Sequence, residues 1–518
     1  VHRRWIENLE WVCLAAVLLL SGCRSSAPAP RVVVIGLDGA TWDFLDPWID
    51  QGALPNLEAL LNEGAFGTLE SVFPPMSPPA WCSAVTGKNP GEHGVYDFWM
   101  RPEGEFQTVP TTSLDRKAEA VWQTLSRTGR TVGVINVPLT DPPDEVNGFM
   151  IAGFPHLDNQ DYTYPPELQS TLRDYSLDSF GEMLVEGREA ELRDRLIHNF
   201  ESRARVALSL MDEEEWDLFW VVFTGPDKMQ HFFWRFLDPE HPYYEEGKFE
   251  AFGGAIRDFW GRVDRVIGDI VKRLDEDTVV MVISDHGFAP IYREIRLRPW
   301  LALEGFVDWQ RGKVLAYYQG DFGGRIFLNV KGREPRGEVQ PGRPYRDLRN
   351  RIADRLREMT DPDTGIRPVS DVRFAEEVFS GPYLDQGPDI LFTVRPGYFV
   401  VGGTGESGEP IFGLPSYSFS AYHRREGIVV LSGGPVVSGV NLTPQSIEGI
   451  APTVLYLLGE RIPADMDGGV FTTALSPDCL QKHEIRFSEP VTLVRRETPG
   501  VRELEERRKT LESVPYLR

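Results

Sequence analysis

The stretch VVMVISDHGFAP, residues 279–290, is an apolar run that stops at two ligand-type side chains, Asp285 and His286. A continuous apolar run, rather than an alternating one, is what a strand buried on both faces of a parallel sheet requires. Ligands of such sheets gather beyond the C-terminal ends of the strands, so a carboxylate and an imidazole at that point raise the question of partners. Four further runs share the pattern: RVVVIGL (31–37), TVGVINV (131–137), DLFWVVF (217–223) and GIVVLSG (427–433). Amphipathic helices fall between them. LPNLEALLNEG (54–64) reads as a helix stopped by Gly64, and apolar residues recur with a 3.6-residue rhythm over 256–274. The expected fold is therefore α/β: a mainly parallel sheet with helices on both faces and an inserted cap region.

The runs are followed, or in one case preceded, by a consistent set of side chains. Asp38 follows the first, Asp227 and His231 follow the DLFWVVF run, Asp285 and His286 end the fourth, and His423 stands just before the fifth. Each alone has a plain reading, as a turn residue, helix cap or surface histidine. Together they place three aspartates and three histidines beside strand ends, in a chain with nine histidines in all. Asp227 and His231, four apart, share one side of a helix. Mixed aspartate and histidine donors suit zinc or manganese rather than calcium, which prefers oxygen throughout. Ser77, in FPPMSPPAWCSAVTGKNPGEHG (73–94), precedes two prolines and a short helix that Gly87 ends. It reads as a helix cap and, compatibly, as a seventh, movable metal ligand, because a helix N-terminus offers free N–H groups and positive potential that suit a serine alkoxide and a phosphoryl oxygen.

The bulk numbers bound the rest. With 518 residues, 41% hydrophobic, the chain has material for a large core; a net charge of −24 excludes a general nucleic-acid scaffold. The N-terminus has Arg3 and Arg4 before an apolar stretch, Trp11 to Leu20, too short to span a bilayer, and ends in Leu20-Ser21-Gly22-Cys23. That pattern resembles a bacterial lipobox, which implies cleavage before Cys23, lipidation of its sulfur and anchoring of an exported protein to the cell envelope; the plainer reading is a secretory signal that contains a cysteine. In a cell with two membranes, Arg24 points to the outer one and its periplasmic face. The expected organisation is a signal peptide (1–22), a tether (23–30), the first part of the core (31–300), an insertion or cap (301–400), the end of the core with the last ligand (401–475) and a helical tail (476–518). Beyond Cys23 only Cys82 and Cys479 remain, too few for a disulfide framework. Oligomeric state is not legible.

The ordered set of Asp38, the Ser77 segment with VTGKNPGEHG, the Asp227/His231 pair, Asp285-His286 and the late His423 resembles the alkaline phosphatase superfamily. Its type I phosphodiesterase/nucleotide pyrophosphatase branch is the nearest likeness. The resemblance runs from about residue 31 to 475, through PLTDPP, VNGFMIAGFP and IAPTVLYLLGERIPADMDG. It implies an alkaline phosphatase-like fold and two divalent cations, zinc or manganese. One ion would be held by Asp227, His231 and His423, the other by Asp38, Asp285 and His286. Ser77 would be the nucleophile, forming a phospho-serine from a phosphate-ester substrate, monoester or diester.

The pattern departs from the branch at two positions. Nucleotide-type members carry threonine as nucleophile and an asparagine three residues on, where this chain has Ser77 and Ala80; Lys88 or Lys228 is the candidate substitute donor. SPPAW (77–81) lacks the arginine of a sulfatase pattern. A phosphomutase shares both metal sites, and a non-catalytic envelope lipoprotein retaining the fold is the alternative from a different class. Trp81, Tyr96, Phe98, Trp99 and HFFWRF (231–236) read as core or as an apolar substrate wall, and His93 as a brace for its loop.

Overall fold

The computed structural model describes residues 31–491, except 103–104, 106–107, 157–160, 179–181, 309–311, 319–323, 405–407 and 417. Cys23, its signal segment and most of the expected tail helix, 500–514, lie outside the described residues. In chain order, the strands that position the site are β1 (Val32–Leu37), β2 (Gly64–Glu70), β3 (Val132–Ile135), β4 (Gly148–Ile151), β5 (Thr163–Tyr164), β6 (Leu218–Phe223), β7 (Val279–Ile283), β8 (Gly287–Arg296), β9 (Ala421–Arg424), β10 (Glu426–Ser432) and β11 (Val440–Ser446). The helices are α1 (Pro55–Glu63), α2 (Ser77–Thr86), α3 (Glu189–Glu213), α4 (Gly225–Phe233), α5 (Ala255–Val271), α6 (Arg343–Glu358) and α7 (Ile450–Leu457).

All of these strands except β8 and β9 form one nine-stranded sheet, in the order β11-β2-β10-β7-β1-β6-β3-β4-β5. Pairing is parallel from β7 through β1, β6 and β3 to β4, and again between β2 and β11. The run GIVVLSG forms β10, which lies antiparallel between β7 and β2. Apolarity reports burial on both faces and carries no strand direction, so this reversal had no signal in the sequence.

Strand β1 shows why the runs are continuous. Val33, Ile35 and Leu37 enter the core shared with α1, α3, α4 and α5, while Val32 and Val34 enter the opposite core with α2 and α7. Both sides of every central strand are thereby dry, each buried valine or isoleucine stabilising the fold by roughly 1.5–3 kcal/mol relative to exposure. Gly36 interrupts the run because the Trp81 indole lies against it; a Cβ there would stand 2.5 Å from the ring.

The helix read over 54–64 is α1, but Gly64 does not cap it in the left-handed way. Its φ is −135°, and it is the first residue of β2. Glycine is needed there for close approach, since a Cβ would meet the Leu431 carbonyl oxygen at 2.0 Å. Gly87 does end α2 as expected, with φ of 70°.

Within the region from Trp300 to Val400 a separate apolar core forms around Ile326, Leu328, Ile352, Leu356 and Phe392. It is built from a four-stranded antiparallel sheet (Ala316–Tyr317, Gly324–Leu328, Ile390–Val394, Val369–Phe374) and α6. This unit grips the chain just after α2. The Arg325 guanidinium pairs with Asp97 at 2.8 Å, and the Tyr96 hydroxyl donates to the Tyr383 carbonyl at 2.9 Å.

Candidate metal centre and nucleophile

Every side chain that the strand-end pattern singles out stands at one edge of the sheet. Asp38 directly follows β1, Asp227 and His231 lie on α4 just beyond β6, and Asp285 and His286 fill the turn between β7 and β8. His423 arrives on β9, which pairs with β8 opposite Phe288, and Ser77 opens α2.

Two clusters emerge among the described residues: Asp227 with His231 and His423, and Asp38 with Asp227 and His286. In the first, Asp227 Oδ1 lies 3.3 Å from His231 Nε2 and 3.0 Å from His423 Nε2. In the second, His286 Nε2 lies 3.6 Å from Asp38 Oδ1; Asp285 Oδ2, outside both groups, is 3.2 Å from the same nitrogen. Asp227 thus belongs to both groups, a shared role that the resemblance did not assign. Ser77 Oγ is 3.2 Å from His286 Nε2. The His286 and His423 rings stack with centroids 3.6 Å apart, which brings the two clusters together.

The tautomers follow from what the other ring nitrogens touch. His231 Nδ1 faces the Ala421 carbonyl at 2.8 Å, His423 Nδ1 the Pro75 carbonyl at 3.1 Å, and His286 Nδ1 the Gly287 carbonyl at 3.2 Å. A carbonyl oxygen only accepts, so each Nδ1 carries the proton and each Nε2 turns a lone pair inward. His231 and His423 then oppose two lone pairs across 3.1 Å. That arrangement is repulsive unless a cation lies between the donors, and it is the form that metal-ligating histidines take.

The carboxylates are divided in the same way. Trp81 Nε1–H donates to Asp38 Oδ2 at 3.2 Å, and the Gly39 N–H donates to Asp285 Oδ1 at 3.2 Å. The other oxygen of each, Asp38 Oδ1 and Asp285 Oδ2, is buried without a hydrogen bond. Buried orphan acceptors are costly, and an ion satisfies them. Burial and the Asp227 charge push the Asp285 carboxyl up to about 8. Burial with the Asp285 and Asp227 charges raises Asp38 well above the carboxylate range. Burial also acts on Asp227, but it is outweighed by His231 and His423, which hold its carboxyl well below that range whenever a proton on Nε2 faces it in place of a cation. Burial, reinforced by His423, drives His286 well below the usual histidine value, and burial lowers His423 as well. Neutral imidazoles facing under-satisfied carboxylates form a donor set that fits divalent cations.

The helix N-terminus is poorer than its position suggests. Met76 is the cap and Ser77 the first helical residue, followed by Pro78 and Pro79, which have no N–H. The Ala80 N–H bonds back to Met76 O at 3.0 Å. Ser77 N–H and the helix dipole are what α2 offers an anion, and Ala80 lies fully buried in the apolar layer beneath the sheet. Neither candidate lysine stands free: Lys88 pairs with Asp465, and Lys228 with Asp178 and Glu182.

Trp81 is both core and a support for Asp38, while Tyr96 packs on Phe379 and Phe98 on Phe154. Phe232, Phe233, Trp234 and Phe236 are core. His93 accepts the Val95 N–H on Nδ1 at 3.1 Å and lies 3.0 Å from Ser83 Oγ through Nε2, so it braces its loop. Burial takes it down to about 3.

Sequence reasoning missed a buried network behind α4, in which Asp178 accepts from Arg203 at 3.0 Å, Thr224 at 2.7 Å and Lys228 at 2.7 Å. Arg203 sits on the apolar face of α3 between Phe200 and Ala204, and a charge in that position was the available signal.

The family model described as type I phosphodiesterase / nucleotide pyrophosphatase matches residues 32–421. Murine ectonucleotide pyrophosphatase/phosphodiesterase 5, solved as an inactive variant in complex with AMP, is 16% identical with a TM-score of 0.53, covering 86% of this chain and 100% of that one. The human protein of the same name is 16% identical with a TM-score of 0.54, over 88% and 99%. Phosphonoacetate hydrolase from Sinorhizobium meliloti, solved with phosphonoformate, is 18% identical with a TM-score of 0.52, over 83% and 95%. At these identities the structural likeness shows the fold. No curated protein matches the sequence.

Proposed function

Because the chain belongs to the type I phosphodiesterase/nucleotide pyrophosphatase family, we propose that it is a two-metal phosphoric-ester hydrolase in which Ser77 is the nucleophile. The observation that carries this reading is the convergence of two inward-facing Nε2 lone pairs, of His231 and His423, on Asp227, beside a third, of His286, that meets two orphan carboxylate oxygens and Ser77 Oγ. Asp227, His231 and His423 would hold one ion, and Asp38, Asp285 and His286 the other, with Asp227 near both. When bound, two zinc or manganese ions supply the positive charge that eases deprotonation of the serine and neutralises the phosphoryl oxygens.

The chain's own residues do the positioning. The carbonyls of Ala421, Pro75 and Gly287 fix the three imidazoles; Trp81 and Gly39 fix two of the carboxylates. The first turn of α2 sets Ser77 Oγ at the mouth of the Asp38–Asp285–His286 group. Attack by Oγ on phosphorus forms the Oγ–P bond as the opposite ester P–O bond breaks, giving a phospho-serine. Water then displaces the serine and restores its hydroxyl. With no asparagine at position 80 and prolines at the next two helical positions, non-bridging oxygens depend on the cations more than in nucleotide-type members.

The decisive comparison is hydrolysis of bis-(p-nitrophenyl) phosphate and p-nitrophenyl phosphate by protein beginning near Arg31, with zinc, manganese or magnesium, against Ser77→Ala. Metal-dependent turnover lost in the variant supports the reading, and the preferred ester separates diesterase from monoesterase. Folded, metal-loaded protein inactive on both esters favours the non-catalytic envelope lipoprotein. Lipid anchoring through Cys23, and with it an envelope location, belongs to the same proposal; release of the protein from membranes on Cys23→Ser tests it.

A further inference from the structure

A cleft of about 690 Å³ opens beside the centre, between the sheet edge and the unit spanning Trp300 to Val400. Its core wall includes Pro74, Pro75 and Met76, the three residues before Ser77, and its insert wall includes Val378, Phe379 and Phe399. His423 borders both spaces: its Nε2 faces Asp227 in the centre, and the same ring lines the cleft. The volume lies in the range of small-molecule sites. From this placement, and resting on the hydrolase reading above, we infer that the cleft receives the organic group of the phosphate ester, and that this group is bulky and mainly apolar: an alkyl or aryl chain.

The chemistry of the lining decides between an apolar and a polar occupant. Pro74, Pro75, Pro90, Pro290 and Pro396 lie in its walls and present no N–H groups. The charged side chains at the rim satisfy one another or the main chain. Arg373 pairs with Asp371 at 2.7 Å, Arg424 with Asp43 at 2.8 Å, and Arg425 with Glu70 at 3.6 Å. Glu377 accepts the Phe374 N–H at 2.8 Å, and Arg395 donates to the Arg367 carbonyl at 3.0 Å. The Asn89 amide is consumed by Asp467, Ser380 and Gly91. Ser71 Oγ and Arg424 Nε, both buried and without a hydrogen-bond partner, are the polar groups left over for a ligand among the described residues of the lining. A sugar–base group would need many donors and acceptors that this wall does not offer. A hydrocarbon group with an oxygen near Ser71 and Arg424 needs none beyond what is present.

The test is calorimetry on zinc-loaded Ser77→Ala protein with inorganic phosphate, methyl phosphate and n-octyl phosphate, which separates binding from turnover. Each fully buried methylene strengthens binding about fourfold, so n-octyl phosphate is expected to bind at least tenfold more tightly than methyl phosphate. Filling the cleft from either wall, by Ala289→Trp or Val378→Trp in the same background, is expected to cut that preference at least fivefold; two variants guard against local misfolding of one. Equal affinity for the two esters, or a preference untouched by both variants at unchanged melting temperature, overturns the cleft assignment and leaves the hydrolase standing. Absence of binding by any of the three phosphates overturns both.

Discussion

Removing the metals should make the protein lose stability as pH rises from 6.5 to 8. The Asp285 carboxyl is held up to about 8 by burial and by Asp227, while in the unfolded chain an aspartate titrates near ~3.9. Between those values the folded state binds a proton that the unfolded state does not, so stability falls by about 1.4 kcal/mol per pH unit. Asp38 is raised as well and acts in the same direction. Below pH ~6.5 the trend is masked. His286 and His423 are lowered by burial, so there the unfolded state takes up protons that the folded state refuses, and stability rises with pH. Asp227, depressed, contributes only at acid pH. The clean window is therefore 6.5 to 8, where partial titration of Asp285 alone removes roughly 1.6 kcal/mol. For a chain of this size that is a fall of about 2 °C in melting temperature. The assay is thermal denaturation of chelator-treated protein at half-unit pH steps, beside zinc-loaded protein, whose stability should instead rise with pH because ions bind the deprotonated groups. Asp285→Asn should flatten the metal-free slope. A metal-free melting temperature that is level or rising across the window, with the same slope in Asp285→Asn, would refute the reasoning.

Asp178→Asn leaves the buried Arg203 and Lys228 charges under-compensated behind α4; it should cost about 3–5 kcal/mol in denaturant titration and, if the proposed assignment of an ion to Asp227 and His231 holds, speed the loss of loaded zinc to a chelator. Gly36→Ala drives a methyl into the Trp81 indole; destabilisation of about 1–3 kcal/mol is expected, together with weaker retention of the ion at Asp38, seen by elemental analysis. His93→Ala orphans the buried Val95 N–H and should lower stability by about 1–3 kcal/mol with zinc content unchanged, whereas a drop in zinc content would make it more than a brace.

How much was legible depends on what each feature encodes. The five apolar runs all became strands of the central sheet, because burial on both faces leaves a mark in every residue of the run. Asp38, Asp227 and Asp285-His286 came together because parallel neighbours deliver their C-termini to one edge, and His423 joined them because antiparallel β10 begins at that same edge. What stayed hidden was relational. The reversed direction of β10 is a property of pairing and not of its residues. Gly64 looked like a helix stop, but close approach to Leu431 and left-handed geometry select the same amino acid. The SPP sequence after Met76 promised a helix N-terminus rich in donors, although the same prolines that start the helix strip its N–H groups. Asp227 joining both clusters depends on the distance between β1 and β6 ends, which no spacing along the chain records.

The three imidazoles are each oriented by a main-chain carbonyl, from Ala421, Pro75 and Gly287. A peptide oxygen cannot be deleted by a codon change, so these supports are invisible to side-chain mutation. A saturation scan of position 75 should tolerate residues that keep the backbone path, whereas position 287 should admit glycine alone, because a Cβ there would meet the Glu426 carbonyl oxygen at 2.0 Å, and buried Ala421 only small residues; the histidines these carbonyls aim should tolerate no substitution. Sequence around such a centre is free to drift while its ligand geometry stays in place, consistent with a common fold at 16–18% identity.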